Sequence, residues 1–167
     1  MKTLLILRHA KSSWDDPNLS DFDRPLNERG RQTAPFIGEV LLENHLDPDA
    51  ILSSPAKRTT ETTQLVREAG KLTAEPQFID KIYEASPLRL MQVLSAVASD
   101  VGTLLLVGHN PGMEGLLKQL TGESHSIPTA GLIKVDLNIS KWNEIVNDSG
   151  TIAMFVRPRE EMKSIGA

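Results

Sequence analysis

The chain has 167 residues, 40% of them hydrophobic and 24% charged, with 11 Gly and 10 Pro. These values lie in the globular range and argue against a low-complexity or disordered chain; at roughly 100 to 200 residues per domain, the length predicts one domain over 1–167. Eighteen Lys and Arg against 22 Asp and Glu give a formal charge of -4, which argues against nucleic acid as a partner because phosphate-backbone binding needs an excess of cations.

In chain order, Thr3 to Leu7 is a short, continuously apolar run ended by Arg8 and His9, as expected of a strand buried on both faces of a sheet. A polar, Asp-rich loop covers Ser12 to Pro25, and Asn27 is the N-cap of a helix to about Asn44, with Pro35 predicted to kink it. Ala50 to Ser53 reads as a second buried strand. Ser54-Pro55 then opens a helix over Pro55 to Ala69, stopped by Gly70. After an extended segment, Ser86-Pro87 opens a helix to about Ala98, Thr103 to Val107 is a third buried strand, and a helix runs from near Pro111 to Thr121-Gly122. Leu132 to Leu137 and Thr151 to Val156 read as strands around a turn near Asn147 to Gly150, and Pro158 to Ala167 as a loose tail or short closing segment. The alternation predicts an α/β three-layer sandwich with a largely parallel central sheet flanked by helices.

No apolar stretch approaches the roughly 20 residues of a membrane helix, and the N-terminal apolar run is too short for a signal peptide. The absence of cysteine excludes disulfides, thiolate metal sites and a cysteine nucleophile. A soluble, cytoplasmic protein is expected, with no membrane partner.

Chemistry collects by position. Arg8-His9 follows the first buried strand, Arg58 lies just after the second, and His109 follows the third. In an open α/β sheet the carboxyl ends of parallel strands share one edge, where ligands bind. A lone Arg8 reads as a surface ion pair and a lone His109 as a satisfied core histidine. Their joint placement instead describes a phosphoryl site, since arginine offers a planar fork of donors and a neutral histidine a nucleophile. The four histidines contain no pair at metal-ligand spacing, so no metal is assigned. Gly108 to Gly112 lacks both nucleotide-loop patterns, and Ser53 and Ser54 lack a hydrolase nucleophile's context. Asp21 and Asp23 read as loop-capping residues rather than cation ligands.

Four segments resemble the histidine phosphatase superfamily, also called the phosphoglycerate mutase-like or RHG family: Leu7 to Ala10, Asp23 to Gly30, Ser53 to Thr62 and Val107 to Pro111. The short length and the run Arg8-His9-Ala10-Lys11-Ser12-Ser13-Trp14 are most similar to the small protein-phosphohistidine phosphatases of bacteria. The resemblance implies that His9 is the nucleophile, passing through a phosphohistidine, and that Arg8, Arg58 and His109 hold the phosphoryl oxygens without a metal or other cofactor. Glu84, 26 residues after Arg58, stands near where larger members place a general acid; a solvated loop carboxylate is the other reading. Asn110 and Lys11 are candidate phosphate contacts, although a helix cap and a solvated lysine explain them nearly as well, and Ser12 is indeterminate. Ala10 departs from the family's usual glycine. Asp15 stands where many relatives carry asparagine, and a carboxylate there would repel phosphate, so it receives no binding role.

The expected function is therefore a metal-independent phosphatase acting on phosphohistidine in a partner protein. The alternative is a phosphatase for small phosphomonoesters, and a non-catalytic phosphate-binding module is the third reading. Only 50 residues separate Arg58 from His109, which leaves little chain for a lid and favours a substrate that enters as part of a protein.

Overall fold

The computed structural model describes residues 1–164. Its six strands are β1 (Lys2–Arg8), β2 (Ala50–Ser53), β3 (Pro76–Phe78), β4 (Thr103–Gly108), β5 (Leu132–Leu137) and β6 (Gly150–Val156). The helices are α1 (Glu28–Glu43), α2 (Lys57–Gly70), α3 (Pro87–Ser95), α4 (Gly112–Thr121) and α5 (Pro158–Ser164). One sheet contains all six strands in the order β3-β2-β4-β1-β5-β6. Its β3, β2, β4 and β1 pairings are parallel, while β5 and β6 extend the sheet antiparallel. The fold is thus α/β, with a mixed sheet whose parallel half carries the Arg- and His-bearing strand ends.

The continuous apolar runs of β1 and β4 follow from burial on both faces. Leu4, Ile6, Leu104 and Leu106 pack on one face with Leu90 and Leu94 of α3 and Met113 and Leu117 of α4. Leu5, Leu7, Leu105 and Val107 point to the other, against Ile37 and Leu41 of α1 and Val66 of α2. Each such side chain contributes about 1.5–3 kcal/mol through burial.

Several boundaries differ from expectation. Asn27 caps α1 through its side chain, which accepts from Gly30 N, and α1 runs through Pro35 as one helix. The second helix begins at Lys57 rather than Pro55, because Ser54 is used in a turn in which its Oγ accepts from Ala56 N and its carbonyl accepts from the Thr59 hydroxyl. The left-handed stop is Lys71 (φ 53°), and Gly70 is the last helical residue. Gly70 serves a close approach instead: a Cβ there would lie 2.9 Å from the Gly38 carbonyl, and one on Gly38 would lie 2.6 Å from that of Val66. The third helix ends at Ser95, where Ala96 and Val97 N–H groups reach back three residues to Val93 and Leu94. Residues 158–164 form a closing helix, and the rest of the expected tail lies outside the described residues. Among the described residues no helix is long and apolar enough to cross a membrane.

Candidate active site

Strand register brings the site together. Arg8 pairs with Gly108 across β1 and β4, and Ser53 with Val107 across β2 and β4. His9 and His109 therefore leave the sheet at the same level, and Ser54 sits level with Gly108. Hydrogen bonds from His9 N to Gly108 O and from Ser54 N to Val107 O, both 3.1 Å, continue the ladder by one step.

Helix α2 then fixes the loops. Thr62 Oγ1 accepts from Ala10 N at 3.0 Å while donating to Arg58 O at 2.7 Å, and Glu61 accepts from Leu26 N at 2.8 Å. On the other side of the loop, Lys11 O accepts from Asn27 N at 2.9 Å. The Thr-rich run after Arg58 thus holds the chain on both sides of the Asp-rich loop.

His9 is buried, at 6% exposure. Its Nδ1 lies 2.7 Å from Ala10 O, an acceptor only, so Nδ1 carries the ring proton and Nε2 the lone pair. Burial first, then repulsion from His109, Arg58 and Arg8, push its pKa down to about 3. His109 has the opposite tautomer: Nδ1 accepts from Arg58 Nη2 at 3.2 Å, so Nε2 carries the proton and donates to Ser54 Oγ at 2.8 Å. Burial, then the Arg58 charge, lower its pKa to about 4. The two rings stand with centroids 5.2 Å apart.

Arg8 donates through Nη1 to Ile127 O at 3.0 Å. Arg58, 5% exposed, donates through Nη1 to Asp21 O at 2.7 Å and through Nη2 to Asp21 Oδ2 at 3.0 Å. The Nε of each is buried without a partner among the described residues. Two cations beside a neutral imidazole lone pair can bind and stabilise a phosphoryl group.

The other expected residues have diverse places. Glu84 is exposed, has a left-handed backbone (φ 53°) and lines a cavity of about 800 Å³ together with Asp21, Arg58 and His109. A Cβ on Gly112 would lie 2.2 Å from Ala85 O, so close packing of the start of α4 holds the segment that carries Glu84. Asn110 lines the same cavity, but its amide donates to Glu114 Oε1 at 2.8 Å and Ile127 O at 3.0 Å, leaving only its buried Oδ1 free. Ser12 Oγ accepts from Arg24 Nη1, a contact within the loop, and Asp15 is exposed. Among the described residues no group of three or more His, Cys, Asp or Glu is arranged to hold a metal ion.

Three residues take part without having been assigned a role. Asp21, read as a loop cap, joins Arg58, Arg24 (3.1 Å) and the Tyr83 hydroxyl (2.6 Å). The Tyr83 hydrogen bond, followed by those from Arg24 and Arg58, holds the Asp21 carboxyl down to about 2. Burial and then the Asp21 carboxylate push the Tyr83 phenol up to about 12. Tyr83 also packs edge-on to His109 at 5.5 Å, and Ser54 Oγ accepts the hydrogen bond from His109 Nε2–H.

A family model described as histidine phosphatase superfamily (branch 1) matches residues 4–87. An uncharacterized chloroplastic protein of Arabidopsis thaliana is 32% identical over 158 residues, covering 89% of this chain and 72% of its own. An uncharacterized protein of Mycobacterium tuberculosis is 30% identical over 164 residues, covering 92% and 100%. The crystal structure of SixA from Agrobacterium tumefaciens is similar with a TM-score of 0.82 and 32% identity over 94% of this chain and 98% of that one. The protein histidine phosphatase SixA complexed with tungstate shares the fold, with a TM-score of 0.83 at 21% identity over 95% and 99%.

Proposed function

We propose, from the premise that the chain belongs to the histidine phosphatase superfamily and is a phosphatase, that it hydrolyses phosphohistidine on a partner protein through a phosphoryl group carried on His9. The observation that carries this reading is the state of the His9 ring: a buried, neutral imidazole with its Nδ1 proton committed to Ala10 O and its Nε2 lone pair available. In the first step Nε2 forms a bond to phosphorus as the bond to the substrate's imidazole breaks. Arg8, Arg58 and His109 hold the phosphoryl oxygens, His109 by exchanging its Nε2–H hydrogen bond from Ser54 Oγ to an oxygen. Water then attacks phosphorus, phosphate leaves, and His9 returns to its neutral form. The cationic side chains supply the charge stabilisation, so no metal is required of this scheme.

Two observations support a protein substrate. The chain between Arg58 and His109 is used up by the rest of α2, β3, a single helical turn, α3 and β4, so it contributes no covering insertion. SixA from Agrobacterium tumefaciens, at 32% identity, is described as a putative phosphohistidine phosphatase. A second reading, hydrolysis of small phosphomonoesters, is favoured by Glu84, which shares the cavity with Arg58 and His109.

A substrate panel separates the two. An alkoxide leaving group needs a proton in the transition state, assistance typically worth about 10²–10⁴-fold, whereas imidazole can depart already protonated. Glu84→Gln is expected to slow alkyl phosphate hydrolysis by that order and to affect a phosphohistidine protein much less. Turnover of alkyl esters with none of phosphohistidine, at equal enzyme concentration, would establish the second reading instead.

A further inference from the structure

Arg8 also forms a wall of a second cavity, of about 610 Å³. The other charged walls come mainly from the far end of the chain: Arg157, in the link from β6 to α5, and Arg159, Glu160 and Lys163 of α5. Glu114 lines it too; its Oε1 accepts from Asn110 Nδ2 at 2.8 Å and Ile127 N at 2.9 Å, and its charge acts on Arg8. Among the described residues, Arg157, Arg159 and Lys163 take part in no ion pair. Arg157 stacks its guanidinium face 3.8 Å from the centre of the Phe155 ring, which leaves its N–H edge for hydrogen bonding.

Four cations against two carboxylates therefore face one cavity, a local excess of positive charge in a chain of formal charge -4. Cations that outnumber the carboxylates in a concave site focus a positive potential that draws anions in. The shared Arg8 joins this cavity to the phosphoryl site. We infer that the cavity is a second anion subsite, which takes a carboxylate or phosphate carried by the substrate in addition to the phosphoryl group being transferred. The inference rests on the reading that a phosphoryl group docks beside Arg8. It extends that reading to substrate choice: a phosphohistidine flanked by acidic side chains, or a small ester bearing a carboxylate, is preferred to its neutral counterpart.

The test uses substrate pairs that differ in this one group. 3-Phosphoglycerate is compared with glycerol 3-phosphate, and a phosphohistidine peptide flanked by two Asp with the same peptide flanked by two Asn. The expected result is a higher kcat/KM for the acidic member of at least one pair, with a preference that shrinks as NaCl is raised, because exposed charges are screened within about 10 Å at 0.1 M salt. Arg159 and Lys163 are exposed, so reversing them does not disturb the core; Arg159→Glu with Lys163→Glu is expected to cut the acidic-to-neutral ratio about fivefold or more, the upper range for an exposed pair. A response confined to the ester pair identifies the anion as a small-molecule carboxylate, and one confined to the peptides identifies it as an acidic side chain. Equal kcat/KM within both pairs for the unmodified protein, or a ratio unmoved by the double variant, overturns the inference. Failure of the phosphohistidine reading looks different: neither peptide turns over, while the ester pair still reports on the subsite.

Discussion

A histidine becomes a directed nucleophile when one nitrogen is tied to a carbonyl, and at position 9 that tie is made by the adjacent residue, Ala10. The contact uses a backbone oxygen, which is why alanine in place of the family's usual glycine leaves it intact. Arg58 is oriented by a more distant residue. Asp21 takes two of its donors, one through the main chain and one through the carboxylate, and so sets where the remaining N–H groups lie. Asp21→Ala is expected to lower kcat/KM by roughly 10- to 100-fold, the scale of a misplacement of about 1 Å in a catalytic group, with Asp21→Asn less affected because it keeps an acceptor for Tyr83; steady-state kinetics on one substrate checks both. That Arg8, His9, Arg58 and His109 converge at one sheet edge was legible in the sequence, because each lies at or just beyond the end of a buried strand. The roles of Asp21, Ser54 and Tyr83 were not. Asp21 meets Arg58 37 residues away and Tyr83 62 away, and Ser54 meets His109 55 away, separations to which local pattern is blind.

Among the elements, α2 does most to hold the site: one helix presents Arg58 and, through Thr62 and Glu61, anchors the loop on either side of Asp21. The loop's other support is Gly30 on α1, where a Cβ would sit 2.2 Å from Lys11 O, two residues from His9. Backbone cannot yield there as a side-chain tip would. Gly30→Ala and Gly38→Ala are each expected to cost about 1–3 kcal/mol, as overpacking does, measured by urea unfolding. Only Gly30→Ala is expected to lower kcat/KM as well, since Gly38 lies in the α1–α2 contact. Element types were readable from caps and apolar runs, and their exact ends were not. Serine before proline opens α3 as expected, yet the same pair at Ser54-Pro55 serves a turn that delivers Ser54 to His109. Likewise Gly70 reads as a stop signal, but its lack of a side chain is spent on the approach to Gly38.

For the molecule as a whole, the apolar runs announced a sheet covered on both sides, and the two cores are where those runs require them. The antiparallel edge was readable only as a hairpin, because which parallel strand it joins depends on contacts between β5 and β1. The buried site also shapes stability against acid. His9 and His109 titrate near 6.5 when unfolded and at about 3 and about 4 when folded, so between those values the unfolded chain binds more protons and stability rises with pH. Their contribution is complete above about pH 6.5 and is lost as pH falls toward 4 and then 3; that of Asp21, lowered from 3.8 to about 2, is lost as pH falls from 3.8 to about 2. Urea midpoints are expected to fall steadily from pH 7 to 4, and His9→Ala is expected to flatten that slope.

If His9 carries the phosphoryl group, the phosphorylated enzyme can be trapped. Rapid quenching of the enzyme mixed with ³²P-labelled substrate is expected to yield a phosphoenzyme that is labile to acid and stable to base, with the label mapped by mass spectrometry to the peptide containing His9, and His9→Ala is expected to form none. A His9→Ala protein that retains full activity, or a label that maps to another residue, would rule out His9 as the nucleophile.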